Sequence, residues 1–377
     1  MSRADRAARV PARAGTVLDI DLAAIAGNWR RLQAELQPPA LAAAVVKADA
    51  YGLGMADVAP ALATAGCRLF FVATLDEGIA LRRVLPKAEI AVLNGLLPDT
   101  GGEFRQARLL PVLNDLGQIA EWREDAATRR LPAVIHVDTG MARLGLPPDE
   151  LGRLAAEPEL LAGIPLAAVM SHLACADEKQ HPLNAQQLGD FRRAIAQLPR
   201  APASLAASSG IFLGRDYHFD IARPGAALYG VNPTPGRPNP MAQVIRLKGR
   251  ILQVRDVDRD TPVGYGAAQR MERPARLATI AIGYADGWLR SSSHRGSVNI
   301  SGQPASVIGR ISMDLLTVDV TGIDPALACA GAFVDLIDEQ HGVDAVAAAA
   351  GTIGYEILTA LGRRYARFYV DRPEAHQ

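Results

Sequence analysis

Apolar residues in the first two thirds of the chain follow two alternating patterns. The segment after Asp21 predicts an amphipathic helix, because its apolar residues recur at spacings of three and four. These residues are Leu22, Ile25, Trp29, Leu32 and Leu36. Short continuous apolar runs follow, and each is typical of a strand buried on both faces of a parallel sheet. The runs are Leu41–Val46, Leu69–Ala73, Ile90–Leu93, Leu109–Leu113, Ala133–Val137, Leu166–Met170, Leu205–Ala207 and Phe219–Ala222.

Helical stretches lie between most of these runs, among them Leu75–Val84, Asp115–Ala126 and Asn184–Leu198. Eight buried strand candidates that alternate with helices predict a (β/α)8 TIM barrel. An open, doubly wound sheet has the same alternation, so the pattern alone does not prove that the sheet closes. The fold class expected here is α/β.

The pattern changes after about residue 240. From Val244 to Ile251 apolar and polar residues alternate with a period of two, which indicates a strand with one solvated face. Further short strands are predicted at Ala278–Ile282, Ser297–Ile300, Ala305–Ile308, Leu315–Val320 and Phe333–Ile337. We therefore expect a loosely ordered tail over residues 1–15, a barrel over 16–240 and a mostly β domain over 241–377. The last contains a helical piece near Ala345–Leu361.

Composition narrows the possible partners. The 377 residues contain 40 Lys and Arg against 40 Asp and Glu, so no net charge favours binding to nucleic acid or to a membrane. No apolar run approaches the roughly 18 residues of a membrane span. The three cysteines, Cys67, Cys175 and Cys329, are far apart, which fits reduced thiols in the cytoplasm and neither a disulfide framework nor a metal site.

Lys47 stands where the apolar run Leu41–Val46 ends, and a turn rich in small residues follows it. A lone lysine at the carboxyl end of a buried barrel strand lies where barrel enzymes keep their chemistry. Burial lowers the pKa of an amine, so such a lysine can act as a nucleophile and a base. A Schiff base to pyridoxal phosphate (PLP) is one use of it. The alternative is a lysine that only extends from a strand end into solvent.

Seven motifs in order decide between these two interpretations. Lys47 with Tyr51 resembles the PLP-lysine motif of the alanine racemase family, and six further segments resemble that family's motifs. They are residues 138–145 (DTGMARLG), 171–174 (SHLA), 222–230 (ARPGAALYG), 282–287 (IGYADG), 309–314 (GRISMD) and 354–356 (GYE). The resemblance runs from about Thr16 to Val370. It implies a PLP-dependent enzyme of fold type III, with a barrel followed by a β domain.

Racemisation at Cα needs an electron sink and a base on each face. The resemblance implies that PLP is the sink and that Lys47 is one base. Tyr284 would be the other base, and it would need cationic neighbours because tyrosine is a weak base at neutral pH. The family pattern supplies a chain in which His172 contacts Tyr284 and Arg223 contacts His172. A core histidine and a surface salt bridge are the alternatives for these last two residues.

Arg223 is the most diagnostic of these residues. Many PLP enzymes set an acidic residue on the pyridine nitrogen, whereas arginine can only donate. A neutral nitrogen withdraws fewer electrons, so the carbanion is short-lived and prompt reprotonation is favoured over transamination.

The phosphate end of the cofactor needs neutral donors. The backbone N–H groups of Gly225 and Ala226 follow a strand, where a turn or helix can begin. The family pattern adds the hydroxyls of Tyr51, Ser208 and Tyr355, although loop capping is a competing interpretation for Ser208. Gly225 also allows close approach of the backbone, which a side chain would block.

Substrate binding is implied by the resemblance as well. Arg143 would contact the PLP phenolic oxygen and help to orient the substrate carboxylate, and Met313 would contribute its backbone N–H. Asp314 would be a supporting residue, with a turn carboxylate as the alternative. Tyr284 and Met313 lie in the predicted β domain, and in the family such residues come from the partner subunit. A homodimer with two shared sites follows.

Two positions depart from the family pattern. Ala207 stands where members commonly have an asparagine, so one hydrogen bond near the cofactor is missing. His136 stands where many members have a lysine that becomes carbamylated, so the negative charge beside Arg143 has no covalent source. We expect a bound anion or the hydrogen bonding of His136 to orient Arg143 instead.

The predicted function is PLP-dependent interconversion of L- and D-alanine in the cytoplasm, without nucleic acid, membrane or metal. D-Alanine would supply a bacterial cell wall or be consumed in catabolism. A broader amino-acid racemase on the same scaffold is the nearest alternative. A PLP-dependent decarboxylase fits less well, because such enzymes resemble a pattern with an acidic pyridine partner. A non-catalytic PLP-binding protein resembles a lone barrel, and the β domain with Tyr284 argues against it.

Overall fold

The computed structural model describes residues 10–126 and 131–370. A seven-stranded parallel sheet forms most of a barrel in the first domain, and its strands follow one another in chain order. The strands are Ala44–Val45, Leu69–Val72, Glu89–Val92, Leu110–Leu113, Ala133–His136, Leu166–Met170 and Ala203–Ser204. Most of their residues are buried, as expected for strands with packed groups on both faces.

Backbone hydrogen bonds close this sheet into a ring. Leu41–Ala42 pairs in parallel with Ile221–Ala222, and the N–H of Val45 donates to the carbonyl of Pro224 at 2.9 Å. On the other side, the N–H of Arg223 donates to the carbonyl of Ala206 at 2.8 Å. The segment at 221–224 is therefore bonded to both neighbours. The predicted (β/α)8 barrel is confirmed, and the open sheet is excluded.

Helices surround the barrel much as the sequence predicts. The first helix is capped by Asp21, whose Oδ1 accepts the N–H of Ala24 at 3.0 Å, and it buries Ile25, Trp29 and Leu32. The helices of this domain are Leu22–Glu35, Lys47–Tyr51, Met55–Ala65, Leu75–Val84, Gly101–Ala107, Leu116–Ala126, Pro148–Ala156 and Pro182–Gln197. Short 3₁₀ helices are Pro158–Leu161, Ser209–Leu213, Arg215–Tyr217 and Ala226–Tyr229.

The second domain is a mostly antiparallel sheet around the long strand Ile245–Val257, as predicted. The other strands of this sheet are Ala275–Ile280, Ser297–Ile300, Gln303–Ser306, Leu316–Asp319, Phe333–Ile337 and Ala366–Val370, whereas Pro262–Val263 and Gln269–Arg270 form a separate two-stranded sheet. Two α-helices, Val343–Ala350 and Gly354–Ala360, form the expected helical piece. The 3₁₀ helices are Tyr265–Ala267, Tyr284–Asp286 and Arg290–Ser292.

The N-terminal strand Thr16–Asp21 belongs to this second sheet, which differs from the predicted barrel boundary at residue 16. It pairs with Ile245–Val257 on one side and with Ala366–Val370 on the other, so all six of its residues are buried. The first barrel strand follows only after the helix at 22–35. Of the predicted tail, residues 1–9 lie outside the described residues, whereas the carbonyls of Ala14 and Gly15 accept hydrogen bonds from Arg250.

The β domain rests directly on the turn that carries Lys47. Arg367 donates from Nη1 to the carbonyl of Gly52 at 2.7 Å, and the Tyr369 hydroxyl donates to the carbonyl of Leu53 at 2.9 Å. These contacts fix the turn relative to the second domain. No helix within residues 10–126 and 131–370 is long and apolar enough to cross a membrane.

Candidate active site

A cleft of about 1070 Å³ opens at the carboxyl ends of the barrel strands. Such a position is typical of the active sites of barrel enzymes. Ten of the residues that the sequence predicts for the site line this cleft. They are Lys47, Tyr51, His136, Arg143, His172, Ser208, Arg223, Gly225, Ala226 and Tyr355.

Lys47 is followed by a run of left-handed backbone. Ala48, Asp49, Ala50 and Tyr51 have φ angles of 52° to 54°, a region that costs non-glycine residues roughly 1–2 kcal/mol each. Strain of this kind persists only where neighbouring groups hold the backbone in place, and it clusters at functional sites. The sequence places Lys47 at the strand end, but the left-handed turn is a feature that apolar periodicity does not predict.

The amine of Lys47 is half-buried among positive groups. Burial lowers the pKa of Lys47, the charge of Arg143 lowers it further, and the carboxylate of Glu77 opposes both effects. A lowered pKa raises the neutral fraction of the amine, which is the form that acts as a nucleophile and a base.

Arg223 is only 3% exposed, and it is held by three neighbours. Nη2 donates to the carbonyl of Ser171 at 2.6 Å, and Nη1 donates to the hydroxyl of Ser204. Nη2 also lies 3.4 Å from Nδ1 of His172. Burial lowers the pKa of Arg223 to about 10, so the guanidinium still carries its charge at neutral pH. Its Nε–H has no hydrogen-bond partner within residues 10–126 and 131–370, which leaves one donor for a ligand in the cleft.

His172 is neutral in this environment. Burial, followed by the charges of Arg223 and Arg143, lowers the pKa of His172 to about 3. Because arginine only donates, Nδ1 of His172 is the acceptor and the ring proton lies on Nε2. Gln187 fixes the backbone that follows the ring, since it donates to the carbonyl of His172 at 3.0 Å and accepts the N–H of Ala174 at 2.9 Å.

Ser208 organises the end of the cleft predicted for phosphate. Its Oγ accepts the N–H groups of Gly225 at 3.0 Å and Ala227 at 3.2 Å. Ser208 thus caps this turn through its oxygen, and the N–H of Gly225 that was predicted as a phosphate donor is already used within the protein. The hydroxyl hydrogen of Ser208 and the N–H of Ala226 have no hydrogen-bond partner among residues 10–126 and 131–370, so they are the groups that can bind an anion there.

Residue 225 lies so close to Tyr51 that only glycine fits there without a shift of the tyrosine ring. A Cβ at residue 225 would lie 2.3 Å from the Tyr51 hydroxyl oxygen, far inside any contact distance. The close approach predicted for this glycine is thus toward a tyrosine of the same site. The ring of Tyr51 also lies 6.1 Å from that of Tyr355, which the β domain brings to the rim of the cleft.

His136 does not hydrogen-bond Arg143, contrary to one of the two predicted arrangements. Nδ1 of His136 lies 2.8 Å from Oδ1 of Asn114, whose amide nitrogen donates to the carbonyls of Val112 and Leu93. The amide oxygen must accept, so Nδ1 of His136 is the donor. Burial and the charge of Arg223 lower the pKa of His136 to about 4, and the ring is neutral. Arg143 itself is exposed, so its charge does not require a buried counterion.

Tyr284, Met313 and Asp314 do not line the cleft of their own chain. Tyr284 is 42% exposed and Met313 is 54% exposed, on the surface of the β domain. They are neighbours there, because the N–H of Tyr284 donates to the carbonyl of Ser312 at 3.1 Å. Asp314 accepts from Nη1 of Arg364 at 2.7 Å, an ion pair between two exposed side chains and not a turn hydrogen bond to its own backbone.

Sequence analysis missed four residues that hold the site: Glu77, Asn114, Gln187 and Ser204. Only Glu77 had a readable signal, since Thr74 and Glu77 have the spacing of a capping box, and both hydrogen bonds of that box are present. The other three act through partners that are distant in the sequence. Local patterns therefore do not identify them.

The donors in the cleft fit pyridoxal phosphate. An amine with a lowered pKa lies in the same cleft as a buried guanidinium, which has a donor to spare for a pyridine nitrogen. A hydroxyl, a backbone N–H and two tyrosines stand where a phosphate can bind, and Gly225 keeps that end open.

Comparison with known proteins gives the family. The model of the alanine racemase N-terminal domain matches residues 20–233, and that of the alanine racemase C-terminal domain matches residues 244–369. An alanine racemase of Rhodospirillum rubrum is 50% identical over 360 residues, which cover 95% of this chain and 96% of the relative. A catabolic alanine racemase of Mesorhizobium japonicum is 50% identical over 362 residues, with 95% and 94% covered.

Solved structures agree with this grouping. The crystal structure of an alanine racemase from Bartonella henselae with covalently bound pyridoxal phosphate has a TM-score of 0.91 and 42% identity. The match covers 95% of this chain and 100% of the Bartonella henselae chain. A biosynthetic alanine racemase from Pseudomonas aeruginosa has a TM-score of 0.88 and 34% identity, with 95% and 99% covered. The fold and site define a barrel enzyme of the PLP-dependent class. The chain belongs to the alanine racemase family.

Proposed function

We propose that this chain is a PLP-dependent racemase that interconverts L- and D-alanine. The observation that carries the proposal is the pairing in one cleft of the Lys47 amine, whose pKa is lowered, with the buried guanidinium of Arg223. The first group suits covalent attachment of the cofactor and proton transfer. The second suits racemisation over competing reactions, because arginine donates to the pyridine nitrogen and leaves it neutral.

When bound, PLP supplies the electron sink that stabilises negative charge at the substrate Cα. Lys47 would hold the cofactor through its amine until the substrate amine replaces it and frees it to act as a base, and the Nε–H of Arg223 would be available to the pyridine nitrogen. Ser208 and Ala226 donate to the phosphate, with the hydroxyls of Tyr51 and Tyr355 beside them. These assignments are supported by the donors that remain available in the cleft.

Two bases act on opposite faces of the substrate. Lys47 moves the Cα proton on one face, and Tyr284 of the partner subunit moves it on the other. The exposure of Tyr284 on the β domain, outside the cleft of its own chain, supports a shared site in a homodimer. The Nε2–H of His172 donates to the phenolic oxygen of the partner's Tyr284, so that the oxygen can hold negative charge as it gains or loses the proton.

The substrate carboxylate is bound by donors from both subunits. Arg143 provides a guanidinium on the barrel side. Met313 of the partner subunit provides a backbone N–H, which has no acceptor among the described residues of its own chain. A guanidinium matches a carboxylate in geometry and charge.

Interconversion of L- and D-alanine can serve the cell in two ways. The enzyme supplies D-alanine as a peptidoglycan precursor or consumes it in catabolism, and relatives named for each of these roles are similar to this chain. We propose a cytoplasmic location, supported by three free thiols at Cys67, Cys175 and Cys329.

Attachment and activity are tested together. Borohydride reduction of the PLP-loaded protein, followed by peptide mapping, is expected to label Lys47 and no other lysine. Loss of optical rotation and release of carbon dioxide are then followed over a panel of amino acids. Fast racemisation of alanine without carbon dioxide supports the proposal. Comparable rates on large amino acids indicate a broad racemase, and carbon dioxide release indicates a decarboxylase; either result contradicts it.

A further inference from the structure

We propose that Glu77 is a positioning residue for Lys47: its carboxylate holds the turn that aims the Lys47 amine into the cleft. The inference rests on the proposed role of Lys47 as the cofactor lysine. Glu77 itself does not line the cleft, so it acts through the backbone that it binds.

One carboxylate ties together the ends of two barrel strands. Oε1 of Glu77 accepts the N–H of Ala48 at 2.6 Å, directly after Lys47. Oε2 accepts the N–H groups of Ala73 at 2.8 Å and Thr74 at 3.3 Å, directly after the neighbouring strand. Hydrogen bonds to a charged acceptor are the stronger kind. The strand end at Ala44–Val45 is therefore fixed relative to the strand at Leu69–Val72.

This anchor acts at the start of a strained stretch of backbone. Ala48 is the first of the four left-handed residues that run to Tyr51, and Ala48 directly follows Lys47. The later part of the turn has other supports, since Oδ1 of Asp49 accepts the N–H of Met55 at 2.7 Å and Arg367 binds the carbonyl of Gly52. Glu77 supplies the side-chain anchor nearest to Lys47. Without it, the left-handed run loses support at its start, and the Lys47 side chain loses a fixed direction.

The charge of Glu77 gives a second effect on the same amine. Burial and Arg143 lower the pKa of Lys47, and Glu77 raises it. Removal of the charge should therefore shift the titration of the Lys47 amine to lower pH. This charge effect is distinct from the hydrogen bonds to the backbone, so charge and geometry are tested with different variants.

Two variants separate the charge from the geometry, and a third controls for helix capping. Glu77→Gln keeps the size but removes the charge, and it sets an amide NH₂ against a backbone donor. Glu77→Asp keeps the charge but shortens the reach. Thr74→Ala removes the Thr74 hydroxyl, which accepts the N–H of Glu77 at 3.3 Å in the same capping box, and leaves the Glu77 carboxylate intact. It is the matched control for lost helix stability.

The main measurements use the protein without PLP, so they do not depend on racemase activity. The first is the pH dependence of Lys47 acylation by an amine-selective reagent, quantified by peptide mass spectrometry. We expect a lower midpoint for Glu77→Gln and a midpoint near that of the wild type for Glu77→Asp and Thr74→Ala. The second is the dissociation constant of added PLP. We expect about tenfold weaker binding for both Glu77 variants, as for the loss of one charged hydrogen bond, and wild-type binding for Thr74→Ala.

Two results would overturn the proposal. One is wild-type acylation and PLP binding in Glu77→Gln. The other is equal weakening of PLP binding in Thr74→Ala, which would assign the effect to the helix cap. Thermal unfolding of each variant confirms that it is folded, and Glu77→Asp provides the test if Glu77→Gln does not fold. If PLP does not attach to Lys47 of the wild-type protein, the proposed function fails. Borohydride labelling shows that outcome independently of the acylation profiles.

Discussion

Nη2 of Arg223 lies 3.4 Å from Nδ1 of His172, and this contact fixes the tautomer of a neutral histidine. The guanidinium can only donate, so the imidazole presents its remaining N–H from Nε2. The same buried arginine keeps Nε–H available in the cleft. One residue thus determines two donors that the proposed mechanism uses, its own Nε–H for the cofactor nitrogen and the Nε2–H of His172 for the second base.

Arg223→Glu should change the reaction as well as its rate. A glutamic acid can protonate a pyridine nitrogen, which makes the cofactor a stronger electron sink and prolongs the carbanion. We expect racemisation of alanine to fall by about 100-fold or more, the size of loss seen when one preorganised donor is removed. Pyruvate from transamination should rise. Both products are measured in one time course.

Arg223→Lys is the control for that experiment. The lysine ammonium keeps the positive charge and cannot accept a hydrogen bond from a protonated ring nitrogen. It loses the forked geometry that binds Ser171 and Ser204. It should lose activity without any gain in pyruvate. Pyruvate formation in both variants would show that disruption of the site, and not the charge on the ring nitrogen, causes transamination.

Subunits that are inactive alone should restore activity when they are mixed. Lys47→Ala removes the base in the barrel cleft, and Tyr284→Phe removes the exposed hydroxyl on the β domain. In a shared-site dimer, each heterodimer contains one intact site and one doubly defective site. Random exchange of equal amounts should restore about one quarter of the wild-type activity per protomer. Subunit exchange is followed with differently tagged chains, and heterodimers without activity would exclude the shared site.

How much of this site the sequence predicts depends on how far apart the interacting residues lie. Lys47 is predictable because a buried apolar run ends in one charged residue, and the barrel is predictable because its runs and helices alternate locally. The partners of Thr16–Asp21 are more than 200 positions away, so no local pattern shows that this segment is a strand of the second sheet. The strand predicted at Leu205–Ala207 is found at Ala203–Ser204, although Ala206 and Ala207 still pair with Arg223.

The backbone conformation after Lys47 and the hydrogen bond of His136 are not predictable from the sequence for a different reason. No sequence rule places four non-glycine residues in the left-handed region, because the strain is offset by contacts from elsewhere in the fold. Likewise, His136 is visible in the sequence as a departure from the family, but its hydrogen bond to Asn114 depends on how two neighbouring strands end. The resemblance gives the identity of the site residues, and the structure gives their protonation states.

Gly225→Ala should weaken cofactor binding through Tyr51. The added Cβ would stand 2.3 Å from the Tyr51 hydroxyl oxygen and 3.1 Å from the ring carbon that carries it, so the ring must move. Overpacking of this kind costs about 1–3 kcal/mol. We expect a lower unfolding temperature and weaker PLP binding, measured by differential scanning calorimetry and by titration of the apoprotein.

The double variant Gly225→Ala/Tyr51→Phe provides the internal check. It removes the oxygen responsible for the closest contact, so part of the lost stability should return. PLP affinity should stay low, because the hydroxyl proposed for the phosphate is absent. If Tyr51→Phe leaves the stability of Gly225→Ala unchanged, the contact between the two residues is not the cause.

The neutral, buried state of His136 predicts how stability depends on pH. The pKa of His136 is lowered to about 4 in the folded protein, mainly by burial, whereas an unfolded histidine titrates near 6.5. Between these values the unfolded chain binds the extra proton, so the free energy of unfolding falls as the pH falls. The contribution of His136 is fully present above about pH 6.5 and is lost as the pH approaches the folded value.

His136→Gln isolates that contribution, since glutamine does not titrate and can still donate to Oδ1 of Asn114. Between pH 7 and pH 5, where most carboxylates remain ionised, one such histidine contributes a slope of up to about 1.4 kcal/mol per pH unit. The unfolding temperature of the wild type should therefore drop more steeply than that of His136→Gln over this range. Both proteins are measured at one concentration and with saturating PLP. Parallel curves for the two proteins would mean that His136 is not held neutral by burial.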